Sequence, residues 1–106
     1  MSKPVKTRPY DSAEYLDTPE AVEEYVAAAF ETEDPAFIAQ ALGTVARARN
    51  MSKLAQDIGM SRPALYRALS GKISPEFATI MKVMHALGLK LAPAKAPAKQ
   101  RAKSAA

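Results

Sequence analysis

The chain has 106 residues, 48% of them hydrophobic, with 15 Lys+Arg against 11 Asp+Glu for a formal charge of +4, which suits one small folded domain rather than a disordered chain. With no Cys and one His, disulfides, thiolate chemistry and His metal clusters are excluded, so no cofactor and no enzymatic activity are expected. No stretch approaches the roughly 18 apolar residues of a membrane span and no signal-peptide core follows the first charges, so a cytoplasmic protein without membrane contact is expected.

Residues 1–8 carry Lys3, Lys6 and Arg8 without an acid or any periodicity, and read as a flexible basic lead. Residues 9–34 hold nine acids and no base, the composition of an acidic extension. Within it, Thr18-Pro19-Glu20 announces a helix: Thr18 as N-cap, Pro19 where no N–H is needed, Glu20 at the positive dipole end. Val22, Tyr25, Val26, Ala29 and Phe30 follow as a one-sided apolar stripe, with Glu20, Glu23, Glu24 and Glu31 mostly outside it.

Asp34-Pro35 repeats the start signal and opens a helix in which Ile38, Ala41, Leu42, Val45 and Arg49 share a face. Arg47 and Arg49 lie near its negative end, and Asn50 is the expected stop. Gly43 in mid-helix costs about 1 kcal/mol relative to Ala, pointing to a close contact or a weak spot. Two short helices, Ser52 to Ile58 and Ser61 to Ser70, come next, each capped by its Ser, with Gly59-Met60 between them and Gly71 after them. Ser74-Pro75-Glu76 opens a last helix with Phe77, Ile80, Met81, Met84 and Leu87 on its apolar face, closed by Gly88. Leu89-Lys90-Leu91 alternates like a brief strand. Residues 92–106 contain only Ala, Pro, Lys, Arg, Gln and Ser and read as a disordered basic tail. The expected fold is all-α, with five or six helices.

From residue 35 onward twelve bases face only Asp57 and Glu76. Opposite charges segregated in one short chain imply two partners, a polyanion for the basic part and a basic surface for the acidic part. The informative stretch is Met51 to Gly71. Ala55 is small where two helices would cross, Gly59 can take the left-handed conformation of a tight turn, and Leu54, Ile58, Met60, Leu65 and Leu69 supply the apolar contacts. This spacing is that of a helix-turn-helix. Its second helix keeps Ser61, Arg62, Pro63, Tyr66, Arg67 and Ser70 outward, without one acid from Ser61 to Lys72, which suits the major groove of double-stranded DNA. Arg62 and Arg67 are the candidate base or phosphate contacts. Ser61 offers a helix N-terminus to a phosphate, and Pro63 a ring to a thymine methyl. Tyr66 lies either toward DNA or on the core rim, and Ser52, Lys53 and Lys72 flank the helix as phosphate clamps. His85 is expected to pack near the end of the last helix, and Met51, Met60, Met81 and Met84 to fill the core.

At these residues the sequence resembles the Cro/phage-repressor superfamily and, more closely, the probable addiction-module antidote proteins, relatives of the HigA-type antitoxins. The likeness rests on Tyr10 to Asp17 with the acidic helix after it, Asp34-Pro35 to Ala48-Arg49, Met51-Ser52, Gly59-Met60-Ser61, Leu65 to Gly71 and Leu87 to Leu91. It implies a phage-repressor-like domain over residues 35–91 behind the 9–34 extension. It also implies an antitoxin that neutralises a small co-encoded toxin and represses its own operon. With the nine-acid block, the expectation is a basic toxin held through Glu20, Glu23, Glu24 and Glu31, and a homodimer that docks two motif helices on a palindromic operator. The alternatives are a free-standing repressor and a neutralising module that has lost DNA binding. The 92–106 tail lies outside the family pattern.

Overall fold

The computed structural model describes residues 16–96. The expectations for the 1–8 lead, for Tyr10 to Tyr15 and for the tail from 97 onward lie outside these residues. Among them are five helices and no strand: α1 (Pro19–Glu31), α2 (Pro35–Arg49), α3 (Met51–Ile58), α4 (Arg62–Ala68) and α5 (Phe77–Ala86).

Local chemistry sets most of these ends. Thr18 Oγ1 accepts from the Ala21 N–H at 3.0 Å, and Asp34 Oδ1 accepts from the Ala36 N–H at 3.0 Å, so each cap satisfies an orphan donor of the first turn that Pro19 or Pro35 opens. The start of α3 differs from the expectation. Asn50, not Ser52, is its cap: the Asn50 side chain accepts from the Lys53 N–H at 3.0 Å while the Asn50 N–H closes α2 on the Ala46 carbonyl. One residue with extended backbone (φ 178°, ψ 101°) therefore ends one helix and begins the next. α5 begins later than the Ser74 signal, at Phe77, with Glu76 in the cap position and no side-chain cap bond.

α1 packs on α2, while α3 packs on α4 and α5 and α2 lies against both α3 and α5. Leu16, Val22 and Val26 share one core with Leu42, Val45, Leu54, Leu65, Leu69, Val83 and Leu87. Leu42, Val45, Leu65 and Val83 are completely sealed from solvent. Several apolar expectations need correction. Arg49 is exposed rather than on the packed face of α2, and Phe77 and Met81 stand on the outer side of α5, 67% and 46% exposed. His85 is exposed in the last turn of α5. Leu89 to Leu91 form no strand; Leu89 and Leu91 pack against the core from an irregular segment, after the Leu89 N–H has closed α5 on the Met84 carbonyl at 2.8 Å.

Candidate nucleic-acid interface

The turn between α3 and α4 is what aims the candidate site. Gly59 has φ +78°, a left-handed conformation that costs an L-residue about 1–2 kcal/mol, and the Met60 N–H reaches back to the Ala55 carbonyl at 2.9 Å. Two residues later Ser61 Oγ accepts from the Ala64 N–H at 3.2 Å, so α4 starts at Arg62, with Pro63 in its first turn. It is shorter than the expected Ser61 to Ser70 helix, since Leu69 already caps it.

Leu65, Ala68 and Leu69 seat α4 in the core. A second contact fixes its far end. Gly43 of α2 lies so close that a Cβ there would come within 2.9 Å of the Leu69 carbonyl oxygen, and Gln40 Nε2 donates to the Ser70 carbonyl at 3.4 Å. Gly43 is thus a point of close approach, and its cost to α2 is the cost of seating α4. Gln40 and this contact were missed in the sequence; the one available signal was a mid-helix Gly with a polar residue three positions before it.

The opposite side of α4 is open. Arg62, Pro63, Tyr66, Arg67, Ser70 and Lys72 together line a surface depression of about 570 Å³. Tyr66 is 49% exposed, which places it at this surface rather than on the core rim. Ser70 shapes the lower edge, its Oγ donating to the Arg67 carbonyl at 2.8 Å and accepting from the Lys72 N–H at 3.1 Å, so that the loop carrying Lys72 stays beside the helix. Among the described residues no carboxylate lies within 4.0 Å of Arg62, Arg67 or Lys72. A depression of this kind offers two guanidinium forks, an ammonium and a phenol, a donor set matched to phosphates and to guanine edges.

The other candidates lie apart from it. Ser52 and Lys53 are exposed in the first turn of α3, outside the depression, and Lys53 Nζ approaches Asp57 at 3.6 Å. Glu20, Glu23, Glu24 and Glu31 are all exposed on α1, away from the packed Val22, Val26 and Ala29. Glu23 and Glu31 border an apolar groove of about 310 Å³ between α1 and the 89–94 segment, floored by Val26, Phe30, Met84 and Leu91. Among the described residues no group of three His, Cys, Asp or Glu side chains could hold a metal ion, and no helix is long and apolar enough to cross a membrane.

A sequence profile of the family described as probable addiction module antidote protein matches residues 6–95. A relative from Haemophilus influenzae, described as an uncharacterized protein, is 49% identical over 80 residues, which span 76% of this chain and 82% of the relative. No solved structure matches the chain.

Proposed function

The chain belongs to the family of probable addiction module antidote proteins, and from that premise we propose that it is the antitoxin of a type II toxin–antitoxin module. It neutralises a small basic co-encoded toxin in the cytoplasm and represses its own operon. In this reading α3, the Gly59 turn and α4 form a helix-turn-helix of the Cro/phage-repressor kind, as in HigA-type antitoxins, and residues 35–91 make up the DNA-binding domain. The observation behind it is the two-sided character of α4, with Leu65, Ala68 and Leu69 held in the core and Arg62, Pro63, Tyr66 and Arg67 lining the open depression.

Docking α4 in the major groove would bring Arg62 and Arg67 to base edges or phosphates, with Ser61, Ser70 and Lys72 at the flanking backbone and Ser52 and Lys53 farther along it. A homodimer would present two such helices about 34–36 Å apart to a palindromic operator. The exposed Phe77 and Met81, one turn apart on α5, would supply apolar surface for that pairing. The acidic extension, 9–34, would lie against the toxin through Glu20, Glu23, Glu24 and Glu31, whose charge repels DNA and favours a basic protein.

The test is a gel shift of the purified chain on the DNA upstream of its own gene, with and without the product of the neighbouring gene. Retardation by the chain alone, changed in mobility by the neighbour's product, is the expected result. Retardation with no effect of that product, and no complex between the two proteins, would leave a free-standing repressor. A stable protein complex without any retardation would leave a neutralising module that does not bind DNA.

A further inference from the structure

Gln40, Thr44 and Arg47 recur at spacings of four and three along α2, so they share one face of that helix. A single hydroxyl ties them together: Thr44 Oγ1 donates to the Gln40 carbonyl at 3.1 Å and accepts from Arg47 Nη2 at 3.2 Å. This folds the guanidinium back along the helix, where Arg47 Nη1 lies 3.5 Å from the point a Gly43 Cβ would occupy; that same point is 3.3 Å from Leu69 Cβ. At the other end of the strip, Gln40 meets the Ser70 carbonyl and crowds Gly71. The Gln40 end of the strip therefore borders Ser70, which lines the basic depression, while Arg47 stands outside that lining, beside the close approach of Gly43 to Leu69.

We propose that Arg47 is a phosphate-binding residue of the same nucleic-acid surface, which extends from α4 onto the Gln40–Thr44–Arg47 strip of α2. The inference rests on the reading of α4 as the DNA-docking helix. Among the described residues no carboxylate lies within 4.0 Å of the Arg47 guanidinium, and its partner is a neutral hydroxyl. The side chain is exposed, its charge is not neutralised, and its orientation is held before any ligand arrives. Such a fork, beside a helix that enters a groove, meets the sugar–phosphate backbone rather than base edges.

The experiment measures binding of the full-length chain, by fluorescence anisotropy, to a duplex of its own upstream region and to an unrelated duplex between 50 and 200 mM KCl. Arg47→Ala is expected to weaken both by the same factor, roughly three- to tenfold, and to lower the slope of log K against log salt by about 0.9, the loss of one phosphate contact. Arg47→Lys, which keeps the charge, is expected to keep the slope. A residue that only complements the α2 dipole would move thermal stability and leave the slope alone, and an unchanged slope in Arg47→Ala beside normal wild-type binding overturns this inference by itself. Loss confined to the upstream duplex overturns the phosphate assignment in favour of base reading. A wild-type chain that binds neither duplex overturns the reading of α4, and this inference falls with it.

Discussion

Arg62 and Arg67 stand five positions apart on α4, and both reach the surface because Leu65, Ala68 and Leu69 occupy the buried side between and behind them. If each makes a bidentate contact with a base, Arg62→Ala and Arg67→Ala should each cost about 1–3 kcal/mol of operator affinity and relax preference at one base position, measured by titration of single-substitution operators. Lys72→Ala should instead weaken operator and unrelated DNA alike. Gly43 tests how the helix is seated. Ala there gains about 1 kcal/mol of helix propensity. It also forces a methyl to within 2.9 Å of a backbone carbonyl, which cannot rotate away. Overpacking of about 1–3 kcal/mol outweighs that gain, so Gly43→Ala is expected to lower the unfolding midpoint in urea and to weaken DNA binding by unseating α4. The outward pair of arginines was legible in the sequence from helical periodicity alone. The side taken by Tyr66 was not, because a phenol suits both a rim and an interface and periodicity does not decide between them.

At the scale of elements, the chain writes its helix starts in caps, and those that depend on one side chain and the next three residues were the legible ones. Thr18, Asp34 and Ser61 each make the expected bond. Asn50 shows where the rule is ambiguous. Asn serves helix ends and helix starts equally well, and with Ser52 two residues on, the start was assigned to the wrong side chain. Asn50→Ala should therefore cost about 1 kcal/mol of stability, while Ser52→Ala stays within about 0.5 kcal/mol, a contrast that urea denaturation of the two variants measures. α5 illustrates a different limit. The spacing of Phe77, Ile80, Met81, Met84 and Leu87 shows that one broad face is apolar, yet the part of it that the core covers depends on where α2 and α3 sit. Val83 and Met84 are buried, and Phe77 is left in solvent. Leu89 and Leu91 alternate in sequence as a strand would, but among the described residues there is no partner strand, so they dock as an irregular segment instead.

For the whole molecule, the separation of charge along the chain becomes a separation of surfaces: exposed glutamates on α1, and a basic depression under α4. The charge pattern was visible in the sequence as a count, whereas the groove between α1 and the 89–94 segment required the tertiary fold, since it joins residues from both ends of the described chain. Reversing Glu23 and Glu31 to Lys should weaken complex formation with the neighbouring gene's product and leave DNA binding intact or tighter, as read by co-purification and anisotropy. The exposed Phe77 and Met81, one turn apart on α5, lead to a further expectation: Phe77→Lys should shift the chain toward monomer in sedimentation velocity and weaken operator binding, while its far-UV circular dichroism stays that of the folded wild type.

All of this depends on α4 presenting its arginines to a duplex. The most direct test compares the affinity of the full-length chain for the DNA upstream of its gene with its affinity for an unrelated duplex, in the wild type and in an Arg62→Ala/Arg67→Ala variant. At physiological salt the wild type should prefer its own DNA by about a thousandfold or more, and the double variant should lose most of that preference while remaining folded. A folded double variant that kept the full preference would contradict the assignment of α4 as the reading helix.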